Sequence, residues 1–249
     1  MERPTLSPGY GTDVAHVHDA GFGEFARSAA PGLLRRLRAV GAREGVVVDL
    51  GCGSGIWAAE LIAHGYDVVG IDQSAPLLAI ARERAAAAEL RQESIYDAEL
   101  PACVAVTALG EILSYKFDDR AGRAAARGLL RRVHDAIRPG GLFLFDVVAP
   151  GRAAATGSRG FAEGDDWLIT YEAEEDGERL TRRITTFRLQ DDGSWRRDDE
   201  THRLWTWTPP DVVADLADAG FTETQVLRGY GPGHRFPRGW AGFSARRPV

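Results

Sequence analysis

The chain has 249 residues, 44% hydrophobic and 27% charged, the make-up of an ordinary water-soluble globule. A net charge of −6 excludes the basic footprint of a nucleic-acid binder, and two cysteines, Cys52 and Cys103, make neither a disulfide framework nor a zinc site. No run approaches the roughly 18 apolar residues of a membrane span, and the polar, glycine-rich start has no apolar core of signal-peptide length, so a cytoplasmic protein with neither nucleic acid nor membrane as partner is expected.

Residues 1–13, rich in Pro, Gly and Thr, read as a flexible arm. The pattern from Val14 to Val40 is helical, with Phe22, Phe25, Leu33, Leu34 and Leu37 apolar, and Pro31-Gly32 is expected to break it in two. Residues 1–40 are expected to form a helical lid carrying Tyr10, His16, His18 and Arg27. His16 and His18 lie two positions apart and share no helix face, so they suggest no metal pair. Next comes the stretch VVVDLGCGSGIW at 46–57. An apolar run ends at Asp49, Gly51, Cys52, Gly53, Ser54 and Gly55 form a turn, and an amphipathic segment opens at Ile56. This pattern is a buried parallel strand, a glycine turn and a helix start, whose free N–H groups suit a carboxylate or phosphate. The glycines read G-x-G-x-G rather than the G-x-G-x-x-G of a dinucleotide fold.

The helix after the turn uses Trp57, Leu61 and Ile62 and stops at Gly65. A second strand over 66–72 ends at Asp72, where a ribose would present its hydroxyls. Ser74 caps the following helix, with Pro76 in its first turn. Strands follow at 90–95, 102–109 and 142–148, with a helix at 119–137 before the last. This alternation predicts a doubly wound, mostly parallel sheet. The pattern changes after Pro150, where three β segments, 166–175, 179–190 and 200–208, are joined by the turns Asp176-Gly177 and Asp192-Gly193. They predict an antiparallel flap. A helix from Pro209 to Gly220 and a strand pair at 221–228 and 240–246 close the chain.

DLGCGSG followed by GID, and Arg138-Pro139-Gly140-Gly141 before the fifth strand, resemble the class I S-adenosylmethionine (SAM) methyltransferases. ALGEILSY at 108–115, the flap, and TPPDVVADLADAGF narrow the likeness to glycine N-methyltransferase and bacterial sugar-amine N-methyltransferases. The resemblance implies a seven-stranded α/β Rossmann-like sheet with an antiparallel insertion after the fifth strand. It divides the chain into a lid at 1–40, a SAM-binding core at 41–150, a flap at 151–208 and a closing segment at 209–249. SAM would be held by Asp49, Gly51, Cys52, Gly53, Gly55, Asp72, Gln73 and Leu109, with adenine against Ser94 and Ile95 or Asp97, and the methionine carboxylate on Arg27.

Methyl transfer from a sulfonium needs an aligned nucleophile, and an amine brings its own lone pair, whereas a hydroxyl needs a base. No His–Asp pair follows the fourth strand, which favours nitrogen. Asp146 has no set of acidic partners, so no metal is expected. Glu111, just past the fourth strand, orients an amine acceptor or is only a solvent-facing or helix-capping residue; Tyr115 shares its pocket or packs. Tyr10, His18, Trp205 and Trp207 are candidates for the lid or the substrate wall, the two tryptophans through period-two alternation on one strand. The expectation is a SAM-dependent transfer to a small-molecule amine, by a monomer or homodimer. An O-methyltransferase of a carboxylate or hydroxyl and a non-catalytic SAM binder are the alternatives.

Overall fold

A computed structural model describes residues 9–118, 120–156 and 159–249. Residues 1–8, the start of the expected arm, lie outside the described residues, as do Asp119 and 157–158. The order is α1 (Thr12–Phe22), α2 (Glu24–Ala39), β1 (Gly45–Leu50), α3 (Ile56–Ala63), β2 (Tyr66–Asp72), α4 (Ala75–Arg84), β3 (Glu89–Gln92), β4 (Cys103–Ala108), a 3₁₀ turn (Ile112–Ser114), α5 (Arg123–Ala136) and β5 (Ile137–Val148). Then come α6 (Arg152–Thr156), β6 (Arg159–Glu163), β7 (Trp167–Asp176), β8 (Arg179–Leu189), β9 (Trp195–Trp205), α7 (Pro209–Asp218), β10 (Thr222–Leu227) and β11 (Trp240–Arg246).

The first sheet has seven strands in the order β10-β11-β5-β4-β1-β2-β3. Strands β1 to β5 run parallel, and β11 pairs antiparallel with both β5 and β10. The strand order reverses between β1 and β4, so the crevice at their carboxyl ends is where an open α/β sheet binds ligands. Both faces are covered, which explains the unbroken apolar runs. On one face Val48, Leu50, Phe143 and Phe145 pack with Leu129 and Val133 of α5 and Leu216 of α7. On the other, Val47, Leu142 and Leu144 pack with Leu33 and Leu37 of α2 and Trp57 and Leu61 of α3.

The second sheet is antiparallel, β6-β7-β8-β9. It has one strand more than the sequence pattern suggests: β6 is five residues long and alternates only weakly, which hid it. The third expected segment, 200–208, begins earlier, at Trp195, and ends at Trp205. The sheet docks on the first where Lys116 N–H donates to Arg203 O (2.7 Å) and Trp207 N–H donates to Val148 O (2.8 Å).

The expected break at Pro31-Gly32 is wrong. The helix α2 runs through both residues, and the interruption falls at Gly23. Gly32 is retained for close packing: a Cβ there would lie 2.4 Å from Tyr230 O. Helix α1 is tied to the core by Arg84, whose guanidinium donates to both Asp19 oxygens (2.6 and 2.9 Å) and to Ser54 O (2.7 Å).

Candidate functional site

A cavity of about 470 Å³ opens at the carboxyl ends of β1, β2 and β4 and extends to the inner face of the second sheet. Helix α1 and Gly9-Tyr10 form one wall through Tyr10, Val14, His18 and Phe22. Its two ends differ in chemistry.

At the sheet end, the turn after β1 is cradled by its neighbour strand. The N–H groups of Gly51 (2.7 Å) and Cys52 (3.1 Å) both donate to Ile71 O of β2. Gly51 and Gly53 have φ of +67° and +55°, which glycine adopts without cost. A Cβ on Gly51 would also lie 2.4 Å from Ile112, whereas one on Gly53 would meet nothing and would project into open space. Gly55 does not line the cavity; it stands at the N-cap position of α3 at φ +76°, with no side chain to cap the helix, and packs on Ala81. Asp72 fixes the turn: its Oδ2 accepts Gly53 N–H (2.9 Å) and its Oδ1 accepts Ser74 N–H (2.8 Å). Asp49 is buried, and its Oδ1 accepts the Thr107 hydroxyl (2.7 Å). Burial pushes its carboxyl up to about 7, against the Thr107 hydrogen bond and helped by the nearby Asp72 charge. Cys52 lines the cavity with its thiol pushed well up by burial, and Gln73 and Leu109 line it too.

Past β3, Ile95 lines the cavity, with Tyr96 and Asp118 beside it, both missed in the sequence. Ser94 does not line it: its hydroxyl is turned to Asp118 (2.6 Å). Asp97 is bound by Arg120 at the surface. Arg120 also holds the Asp118 carboxyl well below the usual range.

Arg27 is another expected site residue that is not among those lining the cavity. It is exposed on α2, and its helix presents Phe25 and Ala26 to the cavity instead. One step along a helix turns a side chain by about 100°, and spacing from the glycine turn carries no information about that angle.

The far end holds Glu111, Tyr115, Phe117, Arg152, Arg182, His202 and Trp240. Glu111 is 2% exposed and sits at φ +67°, in the left-handed region. Its N–H donates to Asp146 Oδ1 (2.6 Å), and Asp146 also accepts Gly110 N–H (3.0 Å), the Tyr230 hydroxyl (2.6 Å) and Trp240 Nε1–H (2.7 Å). Asp146 is therefore the buried anchor of this loop; burial pushes its carboxyl up to about 6 against those hydrogen bonds. The solvent-facing reading of Glu111 does not fit, and although it stands at the N-cap of the 3₁₀ turn its side chain makes no capping hydrogen bond. Its carboxylate accepts from Arg152 (3.0 Å) and Arg182 (2.8 Å), so its charge is already matched. The Tyr115 and Tyr10 hydroxyls share a hydrogen bond (2.8 Å), and burial pushes both phenols up.

His18 lines the lid side of the cavity, and burial pushes its imidazole down to about 4. Trp205 and Trp207 do not line the cavity. Strand β9 ends at Trp205, so the alternation that would align the two stops there. Trp205 donates to Ala121 O (3.3 Å) and lies under Lys116 and Arg179; Trp207 is buried in the core beneath Arg123. Arg182 and His202 had a signal in the sequence: each is a polar residue on the apolar period-two face of its strand, with Leu180 and Ile184, and with Leu204.

Comparison with known proteins agrees with this geometry. Residues 47–141 match the profile of a family described as a methyltransferase domain. A protein named as a methyltransferase from Geobacillus sp. (strain WCH70) is 27% identical over 189 residues, 72% of this chain and 75% of the relative. Among solved structures, the sugar N-methyltransferase KedS8 from Streptoalloteichus is similar with a TM-score of 0.80 at 20% identity, covering 100% of this chain and 98% of that one. A SAM-dependent methyltransferase from Clostridium acetobutylicum has a TM-score of 0.80 at 15% identity over 94% of this chain and 98% of its own. The SAM-bound amino pentose methyltransferase CalS10 from Micromonospora echinaspora has a TM-score of 0.73 at 21% identity, over 99% and 100%.

Proposed function

We propose that this chain is a SAM-dependent methyltransferase of the class I fold and that it methylates an amine nitrogen of a small polar molecule. When bound, SAM supplies a methyl carbon on a sulfonium, open to in-line attack. The residues at the sheet end fit such a group. Each Asp72 oxygen spends one lone pair on a backbone N–H and keeps another for a ribose hydroxyl. Ile95, Tyr96 and Asp118 would bracket the base. Asp49, with its raised proton affinity, would take the amino group of the methionine end, and the uncapped start of α3 would take its carboxylate. The open side of Gly53 leaves the space that a ligand needs.

The observation that carries the acceptor reading is the ring cluster at the far end. Tyr115 and Phe117 stack at 4.7 Å, and Tyr10 and His202 close around them at 5.0–6.1 Å. Aromatic faces favour a cationic head group and exclude water, and an amine that loses its proton needs only orientation. The similarity to two sugar or amino-sugar methyltransferases points the same way. A hydroxyl acceptor is the second reading, favoured by the His202–Glu200 pair in the cavity wall. Methyl transfer to matched amines, alcohols and carboxylic acids of one carbon skeleton, read by product mass, tests the choice. Products carrying the methyl on oxygen alone refute the amine.

Among the described residues no helix is long and apolar enough to cross a membrane.

A further inference from the structure

His202 is 1% exposed, yet it lines the cavity. Its Nε2 lies 2.8 Å from Glu200 Oε2, and its Nδ1 is buried without a hydrogen-bond partner among the described residues. An ionised carboxylate only accepts, so Nε2 carries the hydrogen and Nδ1 is left with its lone pair. Glu200 is held in turn: Tyr10 N–H (2.9 Å) and Gly11 N–H (2.7 Å) donate to its two oxygens at the start of α1. Burial raises the Glu200 carboxyl, but the His202 hydrogen bond and these two N–H groups outweigh it and bring it below its ordinary value. Leaving a buried nitrogen unpartnered is costly, and the cost is recovered if a ligand supplies the missing donor.

We propose that His202 is the proton acceptor for the methyl acceptor, with Glu200 as its positioning residue. This rests on the reading that the acceptor occupies the ring-lined end of the cavity. An acceptor N–H or O–H donates to Nδ1. As the acceptor's lone pair bonds to the methyl carbon, the electrons of the broken bond stay on sulfur. The acceptor's proton moves to Nδ1, and the imidazolium that results keeps Nε2–H on the Glu200 carboxylate. Charge is conserved: the sulfonium loses one positive charge and the imidazole gains one.

The groups around the ring set the balance. Glu200, two positions away on β9, favours the imidazolium. Arg182, opposite His202 on β8, opposes it and is itself held by Glu111. From α1 His18 adds no charge at neutral pH, since burial keeps it neutral. Tyr10 and Tyr115 are neutral phenols in ring contact with it.

Histidine ¹⁵N NMR of the full chain with S-adenosylhomocysteine tests the arrangement without any acceptor. Wild type is expected to show His202 as the Nε2–H tautomer with Nδ1 bare, and Glu200→Gln is expected to mix the tautomers. A hydrogen on Nδ1 of neutral His202 overturns the proposal. Kinetics follow with the amine and alcohol probes above. His202→Gln should lower kcat by about 10²–10⁴-fold, the usual worth of a positioned proton acceptor, and remove the acid limb of the kcat–pH profile. Glu200→Gln should cause a smaller loss with the same change in profile. S-adenosylhomocysteine affinity by calorimetry should stay within about twofold in both variants, because neither residue is at the cofactor end. Full turnover with an unchanged acid limb in folded His202→Gln refutes the role. Failure of wild type to bind S-adenosylhomocysteine would instead overturn the cofactor reading beneath it.

Discussion

Replacing Asp72 with alanine separates the cofactor end from the rest of the cavity. The carboxylate has room for four hydrogen bonds, and backbone N–H groups of Gly53 and Ser74 use two of them. Two lone pairs remain for the ribose hydroxyls. A hydrogen bond to a charged group contributes roughly 1.5–3 kcal/mol, so two lost contacts give about 3–6 kcal/mol as an upper range. The alanine also frees Gly53 N–H and lets the turn relax, which adds to the loss. Burial raises the Asp72 carboxyl, opposed first by the Ser74 and Gly53 N–H groups, so part of the gain goes into holding the charge away from water. A fall in S-adenosylhomocysteine affinity of about 10²–10⁴-fold is therefore expected, at about 1.4 kcal/mol per tenfold. Asp72→Asn is not a mild control, because its NH₂ would face a backbone donor. Titration calorimetry on variants checked for cooperative unfolding reads the loss. A folded alanine variant with affinity within threefold of wild type would refute the assignment.

Three further outcomes follow from the same geometry. Burial pushes the Asp49 carboxyl up to about 7 and its ionised form is the one that attracts an ammonium, so S-adenosylhomocysteine affinity should rise from about pH 5.5 through 7 and level near about pH 8; calorimetry across that range, flattened in Asp49→Asn, checks it. Glu111→Gln replaces the buried carboxylate that the half-buried Arg182 and Arg152 face, and breaking a fully buried pair costs about 3–5 kcal/mol as an upper range, so urea denaturation should reveal lost stability as well as lost turnover. Arg27→Ala should leave S-adenosylhomocysteine affinity unchanged, since the side chain is exposed outside the cavity; a tenfold loss would restore it as a carboxylate ligand.

The grouping of Asp49, Gly51, Gly53 and Asp72 at one end of the cavity was legible because its signals are local. One strand, one turn and the tip of the next strand bring them together, and adjacency in the sheet does the rest. Ser94 failed because a hydroxyl near the right strand end found an acidic partner, Asp118, that lies 24 positions on. Trp205 and Trp207 failed because alternation holds only while a strand lasts. Arg27 is exposed and does not line the cavity, because position in the chain fixes neither helix phase nor exposure. The partners of Glu111 lie 41 and 71 positions away, beyond any periodic signal. Only the register of β8 against β9 places Arg182 beside His202.

That far end is one connected polar network, and its membership explains why the chain needs a second sheet. Asp146 of β5 holds the Glu111 backbone, and the Glu111 carboxylate holds Arg182 of β8. Arg182 donates to the Tyr115 hydroxyl (3.4 Å), which pairs with Tyr10, whose N–H reaches Glu200 and so His202. Each link crosses between elements that apolar packing alone would allow to slide. Buried polar groups are costly unless their partners stand at fixed places, so a network of this kind selects one arrangement of core, second sheet and α1. Its unmatched atom is the one the proposed proton transfer uses: His202 Nδ1 has no hydrogen-bond partner among the described residues, and His202 lines the cavity.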